Sequence, residues 1–406
     1  MIPIVRVWLA VVVACFAVAA SAQTDRLTGL ARVDPAHTRI YEVSGDTVLE
    51  LALSQPVPFR IFALDNPRRM VIDLSEVVWD GLDPDAMNRS FRVSGARVGG
   101  FQPGWSRMVL DLSVPLGLVI ADVSANASGA LITMTFEQID DDTFAEGAGA
   151  PPDAQITPPA AETAAPRRRY QGDRPLVVVL DPGHGGIDPG AQADGMVESH
   201  LMLTFAQELR DMLIRSGGFH VVLTRTDDSF VPLEHRITIA REAGADVFLS
   251  LHADALAEGT ASGASVYTLA EKATDRAAQQ LAERHDRADL LAGVDLSDTE
   301  DEIAIVLMDL ARTETAPRTE RFAKILVEEL TQNIKMHKKP RHRANFSVLK
   351  APDIPSVLLE IGFLSSARDR QRLSDPAWRA KAVWAMRDAL QRWAEADAAE
   401  AQLIRQ

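Results

Sequence analysis

In the stretch VVVLDPGHGG (Val177–Gly186), an apolar run stops at Asp181-Pro182 and sets His184 between Gly183 and Gly185. An imidazole on nearly bare backbone fits a phosphate loop, a tight turn with an incidental histidine, or a metal site. A dinucleotide loop needs a third glycine at position 188, which is Asp188, and the Gly-Lys-Ser/Thr of a P-loop is absent. For His184 alone the turn stays open. It has company, however. FLSLHAD ends another apolar run at His252, and Glu198 opens a helical period. Two imidazoles and one carboxylate suit zinc and leave a fourth position for water. The glycines around His184 let the backbone turn sharply and keep such a site open to a bulky substrate. A three-ligand site also needs a base, and PSVLLEIGFLSS carries Glu360 inside an otherwise apolar run. The plain alternative is a carboxylate satisfied by a nearby arginine. Buried acids are rare without partners, though, and burial lifts a carboxyl toward the range a proton shuttle uses.

The elements that must position these residues are short apolar runs alternating with helical periods. PLVVVLD, FHVVLTR, DVFLSLHAD, GASVYTL and SVLLEIGFL read as buried strands. Between them, Leu201, Phe205, Leu209 and Leu213 recur at helical spacing, as do Phe322, Ile325, Leu326 and Leu330. The expected fold is an α/β domain over 175–395 with a mainly parallel sheet covered by helices. Functional residues of such folds gather at the C-terminal ends of strands, where His184, His252 and Glu360 fall. Before it, residues 27–138 alternate apolar and polar positions in short runs such as RRMVIDLS and ALITMTF, which predicts a small all-β sandwich. Residues 139–174, rich in Pro, Ala and acids, read as a disordered linker in which Arg167, Arg168 and Arg169 form a solvated charge run.

With 406 residues, 47% hydrophobic and 24% charged, the chain can bury more than one core. Its formal net charge of −15 argues against nucleic acid as a partner and against attraction to anionic lipid. A single cysteine, Cys15, excludes a disulfide framework and a thiolate zinc site. Cys15 lies in residues 1–22, where Arg6, a long apolar run and Ala20-Ser21-Ala22 read as a Sec-type signal peptide, with an uncleaved anchor as the alternative. The expected destination is the periplasm, with no transmembrane anchor after cleavage.

Two family resemblances rest on these stretches. LSQPVPFRIFALDNPRRMVIDL followed by VGGFQPGWSRMVLDL resembles the AMIN domain, a β module that targets envelope proteins to peptidoglycan or the division site. LDPGHGGIDPGA, GMVESHLML, TRTDDSFVPLEHRITIAREAGADVFLSLHAD and ANFSVLKAPDIPSVLLEIGFLSS occur in the order seen in zinc-dependent N-acetylmuramoyl-L-alanine amidases of the amidase-3 family. The resemblance implies that His184, Glu198 and His252 bind one Zn2+ and that Glu360 is the catalytic acid/base. The implied reaction is hydrolysis of the amide between N-acetylmuramic acid and L-alanine in peptidoglycan. One departure is Ser199, where the family often has a lysine after the glutamate. A noncatalytic wall-binding scaffold and a zinc peptidase cutting another stem-peptide bond are the competing readings. The remaining histidines, His285 among them, read as surface or structural, with His200 the one closest in sequence to Glu198.

Residues 271–316 form a long insertion. It reads as a polar helix ended by Gly293, then a capping box at Ser297 and Glu300 before a stripe of Ile303, Val306, Leu307 and Leu310. Its first helix has little apolar face beyond alanines and Leu281. The resemblance extends to cell-division amidases, in which a helix in this region plugs the site until an activator of the LytM type removes it. It implies a role in daughter-cell separation under autoinhibition. A carboxylate between Glu271 and Glu302, with Glu283 the candidate, would then fill the fourth zinc position.

Overall fold

A computed structural model describes residues 30–102, 104–126, 129–151, 169–255, 262–291 and 305–403. The expected signal segment 1–22, Arg167 and Arg168, Gly293, the Ser297–Glu300 cap and Ile303 lie outside the described residues.

The first half is all-β. One antiparallel sheet holds β2 (Arg39–Val43), β3 (Asp46–Leu53), β9 (Leu116–Asn126) and β10 (Gly129–Gln138), in the order β2-β3-β10-β9. The other holds β4 (Phe59–Leu64), β5 (Arg69–Ser75), β7 (Val93–Gln102) and β8 (Trp105–Leu112), in the order β4-β5-β8-β7. A short parallel pair, β1 (Ala31–Arg32) and β6 (Val77–Val78), and the helix α1 (Pro84–Met87) complete it. Alternation explains the core: Leu49, Leu51, Ile132 and Met134 of one sheet meet Ile72, Leu74, Met108 and Leu110 of the other. β10 is buried at every second residue, as a half-covered strand should be. β5 is not, because Arg69 through Leu74 are all buried. Its sheet is therefore covered on both faces, and the second cover comes from the other half of the chain.

The stretch expected to be a disordered linker differs at both ends. Asp140 caps the helix α2 (Asp141–Gly147) by accepting from Thr143 N at 2.8 Å, and Phe144 is buried beneath it. Gly149 N then donates to Ala63 O at 2.9 Å. Arg169 is not a solvated charge: its Nη2 lies 2.6 Å from both Asp397 and Glu400. An apolar anchor with a capped helix, and a guanidinium with two carboxylates, order what composition alone reads as coil.

In the second half, β11 (Leu176–Pro182), β14 (Phe219–Leu223), β15 (Val247–His252), β16 (Ala264–Leu269), β17 (Met336–Ala344) and β18 (Ser356–Glu360) form one sheet, in the order β14-β11-β15-β18-β16-β17. All neighbours are parallel except β16 and β18. A two-residue hairpin, β12 (Gln192–Ala193) with β13 (Met196–Val197), precedes the first long helix. One face is covered by α3 (Glu198–Ser216), α6 (Ile305–Asn333) and α8 (Pro376–Leu403), through Phe205, Leu209, Phe322, Leu326 and Trp393. The short α7 (Ala367–Ser374) packs on α8. The other face is covered by α4 (Leu233–Ala243), α5 (Arg276–Leu291) and the turn at Ser347–Leu349. β11, β15 and β18 are buried throughout, which is why they read as continuous apolar runs. Their register sets Pro182 beside Leu251 and His252 beside Glu360, so the three strand ends share one edge. The second insertion helix and the helix through Phe322 are one element, α6, which continues past Pro317. Among the described residues, no helix is long and apolar enough to cross a membrane.

Candidate metal centre

β11 ends at Pro182, and the chain turns under control of two buried arginines. Arg225 donates to the carbonyls of Pro182 at 3.0 Å, Gly183 at 2.9 Å and Ser199 at 2.8 Å. Arg236 donates to those of Pro182 at 3.0 Å and His184 at 2.9 Å, and to Asp181 Oδ1 at 2.7 Å. Burial, with Arg236 adding to it, pushes the Arg225 guanidinium down to about 10. Asp181 is itself held by Thr224, Ser250 and Arg236. This network fixes a loop in which His184 adopts φ 60°, a conformation non-glycine residues rarely hold. Gly183 is required by contact, since any side chain there would run into the His252 ring.

The structure brings His184, Glu198, His252 and Glu360 together. His184 Nδ1 donates to Asp188 Oδ2 at 2.7 Å, and its Nε2 is turned toward Glu198 Oε1 at 3.3 Å. His252 Nδ1 lies 3.1 Å from the same oxygen. Glu198 is wholly buried and oriented by backbone amides: Ala253 N donates to Oε1 and Ala191 N to Oε2, both at 2.9 Å. Glu360, also wholly buried, accepts from Asp254 N at 3.0 Å through Oε2. Its Oε1 makes no hydrogen bond, and among the described residues no arginine pairs with it.

A further imidazole stands in the cluster. His285, on α5, is buried, and its Nε2 lies 3.6 Å from Asp254 Oδ2 and 3.7 Å from Glu360 Oε1. Its ring centroid is 4.1 Å from that of His252 and 5.6 Å from that of His184. Ligand nitrogens of His184, His252 and His285 lie within 4.8 Å of one another. His184 Nε2, His285 Nε2, Asp254 Oδ2 and Glu360 Oε1 are all buried without a hydrogen bond. Unpartnered buried polar atoms cost about 1–3 kcal/mol each. Lone-pair atoms that converge from several elements without a donor fit a divalent cation that takes imidazole and carboxylate ligands.

The expectation for Glu283 is corrected. It is exposed and accepts from Gln279 Nε2 at 2.9 Å. Two residues separate it from His285, about 200° around the axis at 3.6 residues per turn, so the two cannot share a face. The buried stripe of α5 is Ala278, Leu281, Ala282, His285 and Asp289, and a histidine in that stripe was the signal in the sequence. His285 is thus neither a surface residue nor remote from the site. His200 stays outside the cluster, exposed and 3.1 Å from Asp228 Oδ2.

Charge coupling follows the geometry. Burial alone would lower His184, but the carboxylates of Asp188 and Glu198 hold it well above the usual histidine range. Burial, then His285, pushes His252 down to about 3. Burial would raise Glu198, but His184 and His252 hold it well below the usual carboxylate range. Glu360 is driven well above that range by burial, then by Glu198 and Asp254. A buried acid of raised pKa beside a cluster of donors is an arrangement for moving protons.

Residues 178–392 match the family profile described as N-acetylmuramoyl-L-alanine amidase, and residues 38–126 match the AMIN domain. Over 395 residues the chain is 32% identical to N-acetylmuramoyl-L-alanine amidase AmiC of Neisseria meningitidis serogroup B, covering 93% of this chain and 92% of that protein. The chain belongs to the N-acetylmuramoyl-L-alanine amidase family. A second member, AmiC of Escherichia coli O6:H1, is 32% identical over 353 residues, covering 82% of this chain and 83% of its own. Among solved structures, N-acetylmuramoyl-L-alanine amidase AmiC2 of Nostoc punctiforme is 25% identical with a TM-score of 0.40, covering 54% of this chain and 96% of that one. The cluster around His184 and Glu360 lies inside the amidase match.

Proposed function

We propose that this chain is a zinc-dependent amidase that hydrolyses the bond between N-acetylmuramic acid and the L-alanine of the stem peptide in peptidoglycan. The observation that carries the reading is that His184 and His252 meet on Glu198, with a buried Glu360, one oxygen free of hydrogen bonds, beside His252 on the next strand. His184 through Nε2, Glu198 through Oε1 and His252 through Nδ1 would hold the ion. Zinc bound there supplies an acidified water and polarisation of the scissile carbonyl. Glu360 Oε1 takes a proton from the attacking water as the C–O bond forms. It returns that proton to the L-alanine nitrogen as the C–N bond breaks. The Asp254 amide keeps Glu360 aimed, and Asp188 holds His184 in the tautomer whose Nε2 is free. A scaffold without catalysis would have no use for the bare Glu360 oxygen in a buried site.

A resting, self-inhibited state is part of the same reading. α5 seats His285 among the donors, and three contacts hold the helix down. Arg284 Nη1 pairs with Asp254 at 2.7 Å, Ser347 N donates to Asp286 at 2.9 Å, and Leu233 N donates to Asp289 at 3.2 Å. His285 in place of Glu283 is the residue we assign to the fourth ligand position. Release of α5 would be the task of an activator, of LytM type by the family resemblance, in daughter-cell separation. We further propose export to the periplasm by a signal in residues 1–22 and targeting to peptidoglycan by the AMIN module.

The reading is tested by metal analysis and dye-labelled peptidoglycan release with the wild type and Glu360→Gln. The expected result is one zinc per chain in both, and a loss of rate of about 10²–10⁴-fold in the variant. Equal rates with equal zinc would remove Glu360 from the chemistry.

A further inference from the structure

The all-β module and the amidase fold lie within one compact unit, Ala31–Gln406. A module that is merely tethered leaves the outer face of its sheets in water. Here the outer face of the β4-β5-β8-β7 sheet is buried, and what it buries is the turn that follows His184. Val71, Val109, Phe62 and Phe101 enclose Ile187 and Phe230, with Ile187 only 1% exposed. Phe101 and Phe230 stack at 6.1 Å between centroids and 14° between planes. Beneath them Arg107, itself 1% exposed, pairs with Asp73 and lies over the Phe101 ring.

Backbone meets backbone at the centre of this contact. Ile187 N donates to Gly100 O at 3.2 Å. A Cβ at Gly99 would collide with Gly186 and Ile187, and one at Gly186, at φ 57°, would collide with Gly100 O. Only glycines allow the two backbone segments to lie this close. The gripped turn is the one that joins His184 to Asp188. It is closed by Gly185 N to Asp188 O at 2.8 Å and Asp188 N to Gly185 O at 3.1 Å. Gly186 N is held from the other side by Asp228 Oδ1 at 3.0 Å.

We propose that β7 of the N-terminal module is a positioning element of the metal centre: Gly99-Gly100-Phe101 clamps Gly186-Ile187, and so sets Asp188 against His184. The proposal rests on the reading of His184 as a zinc ligand, but it assigns the β module a role beyond targeting. Undocking the module loosens the turn, lets Asp188 leave His184 Nδ1, and so weakens the metal site through backbone the module holds.

The test uses the full chain with Gly99→Val, which wedges the contact apart, and Ile187→Ala, which empties the pocket from the other side. Val119→Thr, on the exposed edge strand β9, is the control. Zinc affinity is measured by competition with a chromophoric chelator, and amide exchange is followed across residues 185–188. Circular dichroism melting reports folding. Expected are a loss of zinc affinity of about 10–100-fold and faster exchange in both interface variants, with neither in Val119→Thr. If either variant folds and exchanges faster at 185–188 while zinc affinity is unchanged, the clamp does not position the ligand and the proposal fails. Unchanged exchange in both variants also overturns it. His184→Ala in parallel separates the two claims: full zinc affinity there would sink the ligand assignment itself, whatever the interface variants do. Should Gly99→Val not fold, Ile187→Ala decides.

Discussion

Leu281 sits wholly buried in the stripe by which α5 packs against Phe346, Val348 and Leu349. Truncating it to alanine would destabilise most helices without benefit, since such changes cost about 2–5 kcal/mol. On the self-inhibition reading, that cost falls on the docked state of α5 and not on the amidase fold, because the sheet keeps its own core. Among the described residues, Ala278, Ala282, His285 and Asp289 accompany Leu281 in the stripe, so the low end, about 2 kcal/mol, is the better figure. At 1.4 kcal/mol per tenfold, the docked-to-free ratio drops about 30-fold. The rate of dye-labelled peptidoglycan release by Leu281→Ala should rise by a factor approaching that value, limited by the fraction already free in the wild type. Zinc content and melting temperature are followed alongside. A variant that melts lower, keeps its zinc and releases dye no faster would show that α5 is ordinary packing, and the latch would have to be abandoned.

Three other outcomes follow from the same geometry. Asp188→Asn should weaken zinc by about 10–100-fold, because the charge-assisted bond to His184 Nδ1 is worth about 1.5–3 kcal/mol; a chelator titration at constant pH checks it. Burial raises the Asp289 carboxyl to about 7, against about 3.9 for a free aspartate. The docked helix therefore favours the protonated form, so docking is strongest below about pH 4 and weakens as pH rises toward 7. Protection of the α5 amides, with the intrinsic exchange rate divided out at each pH, should fall across that window in the wild type and hold in Asp289→Asn. In Glu360→Gln zinc should remain while hydrolysis is lost; zinc lost together with activity would make Glu360 a ligand and not a base.

Much of the site was legible because it lies on the strands most fully buried. β11, β15 and β18 announce themselves as apolar runs, and His184, His252 and Glu360 stand where those runs stop. Residues that act on the backbone were silent. Arg225 and Arg236 work by gripping the carbonyls of Pro182, Gly183 and His184, and nothing in their local sequence marks an arginine that folds inward. Asp188 was read only as a glycine that is missing. His285 stands in a stripe of alanines, which make too weak an apolar face to mark the histidine as buried. β17, MHKKPRHRA, has no strand pattern at all: among the described residues it is an edge strand paired with β16, and charge is what edges carry. The unbroken burial of β5 could be suspected from RRMVIDLS, but its second partner, the Ile187 turn, is far off in the chain.

The central claim is which bond is cut, and product masses answer it. Purified peptidoglycan is digested with the full chain and with Leu281→Ala, each with a chelator control, and the soluble products are weighed. The account predicts intact stem peptides with a free L-alanine amine and glycan bearing an unsubstituted lactyl carboxyl, both abolished by the chelator. Shortened peptides with the muramoyl–alanine amide still closed would contradict it and make this chain a peptidase.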